Sequence, residues 1–194
     1  MARYRKMAIA ALAASALLLT PTAAYADHNH RGVSASSDDD MSWGYFSGKL
    51  TDFTTTSPDV FKDARASAVM IGMDGRSFFR LRVSGVHAKG TYGVHLHQGP
   101  CDADNPGPPD GAGPHYNVSW ESIEGLSGPN IKKTEVWLDL DVDSEGDARS
   151  TATVSFIPEG KRSIVLHALG TDPVTGSAGA RLACLPFNIK VYGN

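Results

Sequence analysis

Ala66-Ser67-Ala68-Val69-Met70-Ile71-Gly72-Met73-Asp74-Gly75-Arg76-Ser77-Phe78-Phe79-Arg80-Leu81-Arg82-Val83 is the stretch that decides the fold class. Two strand-like runs, Ala66–Ile71 and Ser77–Val83, flank Met73-Asp74-Gly75-Arg76. Asp-Gly between two such runs is a hairpin signal, because both residues tolerate the positive φ that a tight turn demands. Segments of the same character recur outward in both directions, at Trp43–Leu50, Thr91–His97, Thr134–Asp141, Ser150–Phe156, Ser163–Leu169 and Leu182–Val191. Asp143-Ser144-Glu145-Gly146 reads as a second hairpin turn. No stretch beyond the N-terminal apolar run keeps a 3.6-residue apolar period. The spacing therefore predicts an all-β domain, an antiparallel sandwich or barrel of eight strands. Two long connections, residues 98–114 and 117–133, interrupt it, and loops of that length in a compact domain are usually functional.

The N-terminus reads as an export signal. Arg3, Arg5 and Lys6 precede an apolar run from Met7 to Leu19, and the small-residue triplet Ala24-Tyr25-Ala26 follows. Cleavage is expected after Ala26, since the run falls short of the about 20 residues a membrane span needs. Removing residues 1–26 takes away three cations and no acid, leaving 15 basic against 21 acidic residues. That balance argues against nucleic acid and anionic membrane as partners, and no membrane insertion is expected. Residues 27–42, with His28, His30 and Asp38-Asp39-Asp40, read as a polar disordered arm ahead of a single domain over 43–194. Asp27-His28, with His30, would give such an arm a copper-chelating start. In an exported protein two cysteines default to one disulfide, so Cys101 and Cys184 are expected to pair.

Three of the seven histidines fall in one block: His95 and His97 in Gly93-Val94-His95-Leu96-His97, and His115 in Gly113-Pro114-His115-Tyr116-Asn117. Residues i and i+2 of a strand share a face, so His95 and His97 can reach one ion. His167 ends the apolar run Ser163-Ile164-Val165-Leu166 and by itself could equally be a satisfied core residue. A Cys101–Cys184 cross-link spanning 83 positions would stabilise the fold by roughly 4 kcal/mol and limit where the loop carrying His115 can go. Four neutral imidazoles without a thiolate suit copper, the tightest binder of the divalent series; zinc on three or four histidines is the competing reading. His87 reads as a turn residue, and Asn117-Val118-Ser119 matches a glycosylation sequon by pattern.

Gly93–His97, Gly111–Asn117, the strand ending at His167, and Gly176-Ser177-Ala178-Gly179-Ala180-Arg181-Leu182-Ala183-Cys184 together resemble the copper-zinc superoxide dismutases. That family carries GxHxH, GxHxN and GNAGxRxAC in this order, and Ser177 stands where asparagine is usual. The resemblance covers residues 43–190. It implies a Greek-key β-barrel of eight strands, copper on His95, His97, His115 and His167, and a Cys101–Cys184 disulfide. It also implies that Arg181 holds the superoxide anion and that His115 is the imidazole that donates a proton.

The departures from the family pattern imply the copper-only branch. Residues 116–166 contain no histidine, and the position of the family's zinc-binding aspartate falls near Val136. The resemblance thus implies one copper per chain and no zinc. Glu135 and Asp139, then Glu121 and Glu124, are candidates to receive the far N–H of His115. Between His167 and Arg181 the chain has Asp172 and no basic residue, so electrostatic steering of superoxide should be modest, with kcat/KM only weakly salt-dependent. The export signal implies a secreted or cell-envelope protein, and the resemblance implies an enzyme, with a homodimer left open; the alternative is a copper-scavenging or delivery protein on the same fold.

Overall fold

Strand alternation is the reason this chain forms a sheet with one dry face. In Arg76–Ser84, Ser77, Phe79, Leu81 and Val83 are buried and every intervening residue is exposed. A computed structural model describes residues 41–53, 60–102 and 111–192 of the 194. The expected signal peptide, most of the polar arm and the Pro-rich centre of the 98–114 loop lie outside them. The strands are β1 (Met41–Lys49), β2 (Thr51–Asp52), β3 (Arg65–Met73), β4 (Arg76–Ser84), β5 (Gly90–Tyr92), β6 (Val94–His97), β7 (Leu140–Val142), β8 (Ala148–Val154), β9 (Gly160–His167) and β10 (Arg181–Tyr192). An eight-stranded antiparallel sheet runs β6-β9-β10-β1-β3-β4-β8, with β2 on β10, and curls into a half-barrel; β5 and β7 form a separate pair. The fold is all-β, as the sequence predicts.

The hairpin that opened the sequence reading is present in register. Met73 pairs with Arg76 around Asp74 and Gly75, whose φ values of 54° and 69° are those a type I′ turn needs. Inside the curl, Phe61, Met70, Phe79, Leu81, Leu96, Ile164, Leu166, Leu185 and Phe187 form one continuous core with Leu138 and Leu140. A smaller cluster, Phe53, Ala112, Val165 and Cys184 with Cys101 against it, lies outside that core.

Four expectations need correction. The first strand begins at Met41 with Ser42 buried, so the domain starts before residue 43. Thr91–His97 is two strands, because the chain crosses the 168–180 segment at Gly93: a Cβ there would collide with Ala178, and Gly93 N–H donates to Leu169 O at 2.7 Å. Thr134–Asp141 begins as a helical turn (Ile131–Thr134), and only Leu140–Val142 is regular strand, since Glu135 and Trp137 are drawn into isolated bridges. The Asp143–Gly146 turn joins two different sheets rather than one hairpin: β7 ladders with β5, and β8 with β4. Asp143 Oδ1 accepts the N–H groups of Glu145 and Asp147 and holds this corner.

Candidate metal centre

β6 is the shortest strand in the large sheet after β2, and all four of its residues are buried. Val94 and Leu96 face the core, so period-2 alternation sends His95 and His97 together to the other side. One edge of β6 pairs with β9, which ends at His167. The other edge is shared by two segments that the sequence leaves unconnected. Leu96 N–H donates to Val136 O and Leu138 N–H to Val94 O, which places Trp137 opposite His95. Farther along, Gly99 N–H donates to Ala112 O, Gln98 N–H to Pro114 O and Tyr116 N–H to Leu96 O. The 98–114 loop therefore returns antiparallel to the strand it left, and His115 lands opposite His97.

Several groups pin that returning arm. Gly99 is required where it stands, since a Cβ would lie 2.9 Å from the Ala112 carbonyl. Arg162 donates from Nη1 to Gln98 O at 2.9 Å, and its guanidinium lies 5.0 Å from the Tyr116 ring centre. The Cys101–Cys184 disulfide, with Cα atoms 5.9 Å apart, ties the outgoing arm to β10. Both expected cysteines are paired.

The four rings meet. One ligand nitrogen from each of His95, His97, His115 and His167 lies within 4.8 Å of the other three. His95 Nδ1 is 3.1 Å from His115 Nε2, and His97 Nε2 is 3.2 Å from His167 Nε2. Each far nitrogen has an acceptor of its own. His95 Nε2 is 2.8 Å from Thr171 Oγ1, His97 Nδ1 is 2.9 Å from Gly113 O, and His167 Nδ1 is 3.2 Å from Gly179 O. His115 Nδ1 lies 3.1 Å from Glu135 Oε2. With its proton on the outer nitrogen, every ring presents a lone pair inward, the tautomer metal ligation needs. This group can hold a metal ion.

Burial keeps three of the rings neutral. His95 and His97 are pushed from the ordinary 6.5 down to about 2, and His167 to about 4; burial is the largest cause, and neighbouring imidazole charge adds to it. Arg181 stands directly across the β9–β10 ladder from His167. Its positive charge is among the causes holding His97 and His167 down, and its Nη2 donates to Gly113 O at 2.6 Å, the carbonyl that also faces His97 Nδ1.

Of the acids read as partners for His115, Glu135 is the one in contact. It is buried, and burial works to raise its carboxyl; the His115, Trp137 and Asn117 donors outweigh that and hold it below the ordinary value. Asp139 serves a different ring: its Oδ1 accepts from Thr171 Oγ1 at 2.7 Å, and Thr171 faces His95. Glu121 and Glu124 are exposed, Glu121 bonding Ser119. His87 is an exposed bend residue, as expected. Asn117 Nδ2, the atom a sequon would glycosylate, instead points to Thr134 Oγ1 and Glu135 Oε1 at 3.2 and 3.4 Å. Thr171, Trp137 and the Gly113 and Gly179 carbonyls escaped sequence reading, because nothing about a threonine or a carbonyl marks it before the fold sets it beside a ring. No family model and no curated protein matches the chain. No helix among the described residues is long and apolar enough to cross a membrane.

Proposed function

We propose that this chain is an exported, mononuclear copper protein that dismutes superoxide, of the kind its motifs resemble. The observation that carries the reading is the set of four inward imidazole lone pairs, each fixed by a separate outer acceptor, with the Arg181 guanidinium at their side. Four neutral nitrogen donors without a thiolate suit copper better than other divalent ions, and the disulfide fits an oxidising compartment. When bound, copper would supply the one-electron chemistry by which two superoxide anions become dioxygen and hydrogen peroxide.

The protein's own groups do the rest. Arg181 offers a small anion a permanent charge and a planar fork of donors. His115, whose side chain is 21% exposed, is the ring with access to solvent. It can hold a proton at Nε2 while Glu135 accepts Nδ1–H and stabilises the resulting imidazolium, which suits it to deliver that proton to reduced product. Glu135 also favours the copper-only reading, since it occupies the outer nitrogen of His115 that zinc would take in the two-metal relatives.

Metal analysis with a dismutation assay tests this. One copper and no zinc per chain is expected, with activity lost on chelation and restored by copper. Arg181→Ala should keep the metal and lower kcat/KM about 10- to 100-fold, the worth of one charge-assisted contact. Stoichiometric copper without dismutation would instead make the chain a copper carrier.

A further inference from the structure

We infer that the outer face of the large sheet, at the end formed by the β3–β4 hairpin, docks on an anionic phospholipid surface. A soluble sheet face should read polar, yet six of the chain's large exposed apolar side chains stand on this one: Met41, Tyr45, Ile71, Met73, Phe78 and Tyr192, each 44–59% exposed. The ladders make them contiguous. Met41 pairs with Tyr192, Ile71 pairs with Phe78, and half-buried Trp43 pairs with Ile71 and stacks on Tyr192 with ring centres 6.1 Å apart.

Cations rim the patch. Arg76 faces Met73 across the hairpin, Arg80 faces Val69 beside Tyr45, and Lys190 lies 5.6 Å over the Trp43 ring. Among the described residues none of the three forms an ion pair. The chain as a whole carries −3, whereas here the three cations outnumber Asp74, the exposed acid at the hairpin tip, so this face reverses the sign of the molecule. The acidic total that argues against an anionic membrane averages over a surface that is not uniform.

Charge and area select the occupant. A second copy docked two-fold on this face would bring both copies' Arg76, Arg80 and Lys190 into one interface. The apolar strip spans four strands and about 13 Å along β1, on the order of 200 Å², far below the about 800 Å² per partner of a stable interface. A lipid surface needs neither a large area nor shape complementarity. It takes Trp and Tyr at headgroup depth, aliphatic side chains below them and cations against anionic headgroups. Met41, Ile71 and Met73 have no aromatic face for a sugar ring, which favours lipid over an acidic glycan.

The test is co-sedimentation with vesicles of phosphatidylcholine containing one-third phosphatidylglycerol. It uses the chain from Asp27 onward, which retains the compact unit 35–194 and omits the apolar leader that would itself partition. Binding is expected to the mixed vesicles, weak to phosphatidylcholine alone, and reduced by added salt. Arg76→Glu/Arg80→Glu/Lys190→Glu should weaken it about a hundredfold. Ile71→Ser/Phe78→Ser should weaken it at least tenfold, with metal content and circular dichroism unchanged in both variants. Failure to bind, binding that both variants leave intact, or dimerisation that the apolar variant abolishes would overturn the assignment. None of these outcomes bears on the four imidazoles, which lie on β6, β9 and the loop carrying His115.

Discussion

Three of the four imidazoles ride on strands and one rides on a loop, and the protein treats the two groups differently. His95, His97 and His167 are at most 4% exposed, and their outer nitrogens face neutral acceptors: a threonine hydroxyl and two backbone carbonyls. His115 is partly open, and its outer nitrogen faces a carboxylate. Neutral partners in a buried setting orient a ring and leave it a poor base. A carboxylate orients the ring and supports its protonated form. The strand histidines are thus suited to hold an ion, and in the proposed function the loop histidine would hold an ion and also move a proton.

The loop's place depends on its tether, so the largest expected effect comes from cutting it. Cys101→Ser/Cys184→Ser closes no 83-residue loop and should lose about 4 kcal/mol of stability, read by urea denaturation. A loss below 1 kcal/mol would mean the β6–loop ladder holds His115 unaided. Next, His97→Ala removes a fully buried ligand and should cost copper affinity at least about a hundredfold, whereas His115→Ala should cost less, since three buried rings remain. Equal losses in a competitive chelator titration would erase the distinction between strand and loop.

Glu135→Gln probes the loop histidine alone. It keeps an acceptor oxygen but removes the charge, so we expect retained copper and turnover reduced about 10-fold. Asp139→Asn, acting through Thr171 on a strand histidine, should change turnover far less. A separate effect, confined to the metal-free chain, concerns acid. His95, His97 and His167 stay neutral when folded down to about 2, 2 and 4, while in the unfolded chain they protonate near 6.5. The unfolded state therefore binds more protons below 6.5, and stability present above that value falls as pH drops toward 4. Metal-free protein should show a lower urea midpoint at pH 5 than at pH 7.5; identical midpoints would contradict the burial of the strand rings.

Much of this centre was legible in the chain. His95 and His97 announce themselves through period-2 spacing, Asp74-Gly75 through turn chemistry, and Cys101 with Cys184 through compartment arithmetic. Glu135 could be nominated but not separated from Asp139, since both sit near the same bridge and their assignments differ only in which ring each reaches. The splitting of Thr91–His97 at Gly93 and the irregular path of Glu135–Leu138 were not legible, because local propensity there is overridden by contacts with segments tens of residues away. Net charge is a sum, so the placement of Arg76, Arg80 and Lys190 on the outer face of the sheet was not legible in it.

The amino-acid order by itself determined the all-β class, the inventory of four imidazoles and the cysteine pair, because these follow from periodicities and residue chemistry carried within a few positions. Only the tertiary structure decided which acceptor meets each outer nitrogen, and that Arg181 stands beside the rings. It alone also gathered six apolar side chains from four strands onto one face. Those outcomes depend on strand register, and register is set by packing across the whole sheet rather than by any neighbour in sequence.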